Sequence, residues 1–167
     1  MKYLFTKKGF EELKELIRQT EERLKEIRKR KAEAGTGQNG WHDEQFRLSE
    51  AEENRLIDRL ENLMKLYSNA EVIEPEEQCE CVKIGVGIVI KFEDGTTDKI
   101  ILDGYQVVLR DHIVSIYSPI GNALLGAKKG EIIEIKEIKR QIEVIEIYPP
   151  SKAFEMIESE KEKNNNY

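Results

Sequence analysis

The pattern of apolar positions changes once along the chain. In the first third, apolar or small residues fall at Phe10, Leu13, Ile17, Thr20, Leu24 and Ile27, with Glu, Lys and Arg between them. Steps of three and four residues are the signature of a helix with one buried seam. Thr6 is a suitable N-cap for the run that begins at Lys7. The polar stretch from Gly35 to Gly40 interrupts the run, because its glycines make continued helix costly. A second helical pattern follows, with Phe46, Leu56, Ile57, Leu60, Leu63, Met64 and Tyr67 on its seam. Two such helices of about 25 residues, roughly 40 Å long at about 1.5 Å per residue, fold back as an antiparallel coiled-coil hairpin. Near the turn the seam loses apolar content at Lys31, Ser49 and Glu53, which predicts weaker packing there.

After Pro75 the period shortens to two. Val82, Ile84, Val86, Ile88, Ile90 and Phe92 alternate with other residues, as in a strand with one buried face. Asp94-Gly95 is a hairpin signal, and Lys99–Leu102 pairs back. Val107–Leu109, Ile113–Ser115, Glu131–Ile135 and Ile142–Ile147 supply further strands, and a short helix is capped by Ser118 with Pro119 in its first turn. Gly85 and Gly87 interrupt the alternation and mark a bulge or a site of close packing. The expected fold class is α+β, divided into a hairpin domain over 1–75, a β-rich domain over 76–150 and a charged tail over 151–167 that is helical in part.

Charged residues make up 36% of the 167 residues against 39% hydrophobic, an excess that a long solvated helical element explains. The net charge of −6 argues against nucleic-acid binding by bulk electrostatics and leaves room for local basic patches. With no leader-like start and no apolar run of membrane-spanning length, the expected location is the cytoplasm, with no membrane partner. Cys79 and Cys81 are too close in sequence for an easy disulfide and lack partners with zinc-ligand spacing, so plain reduced thiols are expected. No nucleophile–base pair and no phosphate-binding glycine loop points to a self-contained enzyme.

The segment Ser115, Ser118, Pro119, Ile120, Gly121, Ala123, Leu124, Leu125, Gly130 and Glu131 reads physically as strand, short helix, turn and strand. In order and spacing it resembles the C-terminal signature of the Gre transcript-cleavage factors, the GreA/GreB family. Thr6, Gly9, Phe10, Leu13 and Leu16 are similar to the family's opening, and Leu66 through Ile73 to its segment at the hairpin base. The resemblance implies an FKBP-like C-terminal domain. It also implies as partners RNA polymerase, entered through its secondary channel, and the nascent RNA 3′ end; pairing of the two helices within the chain satisfies the seam, so a monomer is expected. The resemblance implies that the β-rich domain docks on the channel rim, for which Ser118, Pro119 and Ile120 are the candidates, with building the short helix as their alternative role. In the family the hairpin carries two carboxylates inward to share Mg²⁺ with the polymerase, and the resemblance implies the same arrangement here. No cofactor is expected on the isolated chain.

The family's tip reads Gly-Asp-x-x-Glu-Asn-x-Glu-Tyr. Counted back without gaps from Ser68-Asn69-Ala70, Asn39 falls on the first acid, His42 on the second and Phe46 on the tyrosine. Asp43 and Glu44 lie immediately beyond. Three readings stand open. Asp43 and Glu44 bind Mg²⁺ from a reshaped tip, with His42 positioning water or a phosphate. Alternatively, the tip binds the channel without cleaving RNA. In the third reading Asp43 is an N-cap and Glu44 a favourable first-turn acid. Trp41 either folds onto Phe46 or touches a channel wall or a base, and Arg28, Lys29, Arg30 and Lys31 form either a solvated face or an RNA-phosphate contact. The expected function is a transcription elongation factor that rescues backtracked complexes by stimulating the polymerase's own Mg-dependent transcript cleavage. The alternative is a non-cleaving channel regulator. A peptidyl-prolyl isomerase and a dimeric coiled-coil adaptor are the readings from other classes.

Overall fold

A computed structural model describes the backbone of residues 2–34, 41–137 and 139–164, and the side chains of these residues except 34, 41–43 and 159–164. Contacts divide the chain into two compact units. One comprises Met1–Lys2 and Phe10–Ala70, the other Tyr3–Gly9 and Glu71–Tyr167.

The first unit is a pair of helices, α1 (Lys7–Ala34, from Phe10 onward) and α2 (Trp41–Ser68). Leu13, Thr20, Leu24, Ile27 and Leu63 are buried, so the seam falls where the spacing places it. Thr20 satisfies its hydroxyl by donating to the Leu16 carbonyl oxygen at 2.7 Å. The helices run antiparallel: Phe10 near the start of α1 stacks on Tyr67 near the end of α2 at 5.3 Å, while Arg28 pairs with Glu53. Met64 and Tyr67, expected on the seam, are 45% and 42% exposed. Leu63 takes the inward position, since only one of two successive helical residues can face the partner.

The second unit is built on a five-stranded sheet in the order β5-β4-β3-β7-β6, where β3 is Gly87–Phe92, β4 Thr97–Asp103, β5 Ile113–Ser115, β6 Ile132–Ile135 and β7 Arg140–Tyr148. A separate two-stranded sheet pairs β1 (Tyr3–Thr6) with β2 (Ala70–Ile73). On one face of the large sheet Ile88, Ile90, Ile100, Leu102, Ile142 and Val144 pack with Leu124 and Ala127 into a single core. The helix α3 (Pro119–Leu124) closes that core against β5 and β6. On the other face the helix α4 (Pro150–Asn164) lies across β3, β4 and β7 and buries Ala153 and Met156. Gly87 permits this approach. A Cβ there would lie 3.0 Å from Met156 Cε and 3.1 Å from Ala153 Cα.

Two expectations are corrected. Val82, Ile84 and Val86 are buried as their alternation requires, but the strand begins only at Gly87. Gly85 turns the chain with φ of +93°, a conformation open to glycine, and its N–H donates to the Leu102 carbonyl at 2.6 Å. Val107–Leu109 forms no strand: it lies in the loop between β4 and β5, with Leu109 89% exposed. That loop carries the chain across so that β5 pairs parallel to β4, the exception in a sheet whose other pairings are antiparallel. Cys79 and Cys81 sit in the segment before β3. Both are free, and burial pushes the Cys79 thiol up.

Candidate functional site

The signature residues assemble around α3. Ser118 is its N-cap: the hydroxyl accepts from the Gly121 N–H at 3.0 Å and donates to the Ser115 carbonyl oxygen at 2.7 Å. Pro119 occupies the first turn, where a missing N–H costs nothing. Gly121 is buried so close to Ser115 that a Cβ would overlap the Ser115 carbonyl oxygen. Ser115 in turn donates from Oγ to the Gly104 carbonyl at 2.7 Å and accepts from the Tyr117 N–H at 3.2 Å. Ser115, Ser118 and Gly121 of the motif thus each answer a specific steric or hydrogen-bonding demand. Pro119 is exposed, Ser118 half-buried, and Ile120 packs partly on the core. With Ile116, Tyr117, Asn122 and Glu137, Ser118 and Pro119 line a shallow cavity of about 320 Å³.

Beside this loop stands an aromatic group that sequence patterning missed. Tyr117 lies 5.7 Å from Tyr105 and 5.9 Å from Tyr3, ring centroid to centroid, and Tyr105 lies 5.5 Å from Phe5. Tyr117 is 39% exposed and its hydroxyl accepts from the Leu4 N–H. The available signal was the aromatic residue directly before the cap and the aromatic pair at the chain start. Nothing local says that they meet.

At the other candidate location, Asp43 and Glu44 are the third and fourth residues of α2, which starts at Trp41. The helix therefore begins before Asp43, and the N-cap position expected for it lies further upstream. Glu44 is exposed. Asn39 and the side chains of Trp41, His42 and Asp43 lie outside the described residues. Successive helical residues are rotated by about 100°, so positions 43 and 44 do not share one face. Among the described residues no group of three or more His, Cys, Asp or Glu is arranged to hold a metal ion.

The basic run divides in two. Lys29 and Arg30 are exposed. Arg28 and Lys31 turn toward α2: Arg28 Nε and Lys31 Nζ donate to the Glu53 carboxylate at 2.9 and 3.0 Å, and Lys31 also lies 3.6 Å from Glu50 and 5.1 Å from the Phe46 ring centroid. The Arg28 hydrogen bond, then that of Lys31, holds the Glu53 carboxyl below the usual carboxylate range.

A helical pair with acids in the first turn of its second helix, together with a sheet domain closed by a serine-capped helix, defines a class of two-part proteins. Residues 77–149 match the family model "Transcription elongation factor, GreA/GreB, C-term". Transcription elongation factor GreA of Thermosipho africanus is 31% identical over 137 residues, covering 80% of this chain and 87% of that protein. The GreA of Thermotoga maritima is 28% identical over 138 residues, covering 81% and 88%. Among solved structures, GreA factor homolog 1 (Gfh1) of Thermus thermophilus aligns with a TM-score of 0.43 at 24% identity, covering 89% of this chain and 99% of that one. The chain belongs to the GreA/GreB family of transcription elongation factors. α4 lies beyond the segment that the family model matches.

Proposed function

We propose that this protein binds RNA polymerase and rescues backtracked elongation complexes by stimulating cleavage of the transcript within the polymerase active centre. The α3 loop, with Ser118, Pro119, Ile120 and the exposed edge of Tyr117, docks on the rim of the secondary channel. The hairpin enters the channel and meets the extruded RNA 3′ end. The observation that carries this reading is the position of Asp43 and Glu44 in the first turn of α2, in a chain of this family. A narrow helical pair reaches where a globular domain cannot. Carboxylates at its end are hard oxygen donors of the kind Mg²⁺ takes, one or two at a time. Asp43 and Glu44 would hold such an ion jointly with the polymerase, where it supplies charge stabilisation and an activated water. Lys29 and Arg30 offer charge to RNA phosphates, a contact that weakens with salt. The protein itself acts as a monomer in the cytoplasm and turns over no substrate alone.

A second reading is favoured by the angular separation of positions 43 and 44: a channel-binding regulator that occludes the pore without promoting cleavage. The two separate in one assay. Backtracked complexes with labelled RNA are mixed with the protein, and short 3′ fragments are measured beside polymerase binding. Fragments that fall at least about 100-fold with Asp43→Asn or Glu44→Gln, binding unchanged, are expected for the first reading. Binding without fragments establishes the second. Absence of binding overturns both.

A further inference from the structure

We infer that Glu53, paired with Lys31 and Arg28, is a positioning residue that sets the axial register of the distal half of the hairpin. The apolar seam of α1 runs through Leu13, Thr20, Leu24 and Ile27, all buried, and its next position is residue 31. On α2 the seam read backward from the buried Leu63 passes through Leu60, Leu56 and then residue 53. Lysine and glutamate therefore occupy facing core positions where leucine or isoleucine would serve packing. Their side chains are covered accordingly, at 25% and 14% exposure, whereas the Arg18, Glu15 and Glu22 pairs on the outer face of α1 are about half exposed.

Leucines along a seam are interchangeable, so apolar packing alone tolerates a slip of one heptad. Slipped one way, Glu53 comes level with Thr20 and Leu24; slipped the other way, Lys31 comes level with Leu56 and Leu60. Each alternative takes a largely covered charge from its partner, while the apolar contacts of the seam are replaced by similar ones, so the ion pair decides between registers. Only the observed register gives Glu53 two donors, at 2.9 Å from Arg28 and 3.0 Å from Lys31, and places Lys31 beside Glu50 and over the Phe46 ring. Arg23, 3.0 Å from Glu52 one residue away, reinforces the same alignment from outside the seam. The register of these helices decides how far the start of α2 stands beyond the end of α1. It thereby decides where the Asp43 and Glu44 positions are presented. That consequence rests on the function proposed above; the register itself does not.

The test uses the full chain carrying Cys79→Ser and Cys81→Ser, spin-labelled through Lys29→Cys and Leu48→Cys, with inter-label distances read by pulsed EPR. The parent is expected to give one distance population. Lys31→Leu with Glu53→Leu is expected to keep the helix content and add a second population, at least a third of the molecules, at the distinct distance that an axial slide of about 10 Å, one heptad, produces. The fourfold exchange Arg28→Glu, Lys31→Glu, Glu50→Lys, Glu53→Lys is expected to restore one population. Glu53→Gln, which removes charge without changing shape, provides the same comparison should the double-leucine chain fail to fold. A single parental population in the double-leucine chain, or in Glu53→Gln where that chain does not fold, overturns the proposal, as does failure of the exchange to restore it. In the backtracking assay the slipped chain is expected to lose at least ten-fold in fragment yield while polymerase affinity stays within about two-fold. A parent that yields no fragments defeats the cleavage reading, and the register inference is then judged by the distances alone.

Discussion

The hydroxyl of Tyr117 accepts a hydrogen bond from the Leu4 N–H at 2.9 Å, across 113 residues of sequence. Strand β1 is thereby tied to the residue immediately before the α3 cap, and Tyr105 reinforces the tie by donating its N–H to the Leu4 carbonyl at 2.6 Å. Tyr117→Phe keeps the ring packing and removes only this acceptor. The site is exposed and water can replace it, so a loss of about 0.5–1 kcal/mol is expected in urea unfolding. Polymerase affinity should fall as well if the loop is the docking element, and binding titration reads that separately.

Ser118 and Gly121 answer different demands and should fail differently. Ser118→Ala removes the cap acceptor for the Gly121 N–H and is expected to cost about 1 kcal/mol. Gly121→Ala drives a methyl group into the Ser115 carbonyl and is expected to cost about 3 kcal/mol, because backbone must move. Thermal melts of the two variants rank them. Equal losses would mean that the loop relaxes freely around position 121.

Gly87 is the contact point of α4 with the sheet. Gly87→Val places two methyl groups where Ala153 and Met156 now lie and is expected to lift α4 without unfolding the sheet, whose core is on the opposite face. Limited proteolysis should then cut within 150–164 while a fragment ending near Tyr148 persists. Loss of the whole domain instead would show that α4 is required for the sheet to fold.

Acid should weaken the hairpin through Glu53. Its carboxyl titrates lower in the folded chain than the ordinary value of about 4.3. A depressed folded value contributes stability that is complete above the unfolded pKa and is lost as pH falls through the folded one. The difference in stability between the parent and Glu53→Gln should therefore be constant from pH 7 to about pH 5 and shrink below about pH 4. Urea titrations followed by helical circular dichroism check this. A difference that persists unchanged to pH 3 would mean that the carboxylate makes no net contribution.

Much of the molecule was legible in the chain because its regular elements follow local periods. The three-and-four spacing of Leu13, Thr20, Leu24 and Ile27 marks α1, and the alternation of Ile88 and Ile90 marks β3. Ser118 before Pro119 announces the capped helix, and Asp94-Gly95 the turn between β3 and β4. The errors lie where local pattern and distant contact disagree. Val107–Leu109 has strand composition, but the place beside β4 is taken by β5, and the segment remains a loop with Leu109 exposed. Val82, Ile84 and Val86 obey the alternation of a strand while the left-handed turn at Gly85 breaks the ladder. The charged C-terminal segment reads as helical in part, but Ala153 and Met156 are too few to show what it packs on; Gly87 and its neighbours on the sheet supply that surface.

By itself the sequence determined the two helices, the alternating strands, the cap of α3 and the family to which the chain belongs. These depend on residues within a few positions of one another, where steric preference and hydrophobic period act directly. Only the tertiary structure decided that Tyr3, Phe5, Tyr105 and Tyr117 gather beside the α3 loop, that β5 runs parallel to β4, and that Arg28 and Lys31 spend their charge on Glu53 while Lys29 and Arg30 face water. Each of those outcomes joins residues far apart along the chain, and the free energy that selects the pairing exists only once both are held in place.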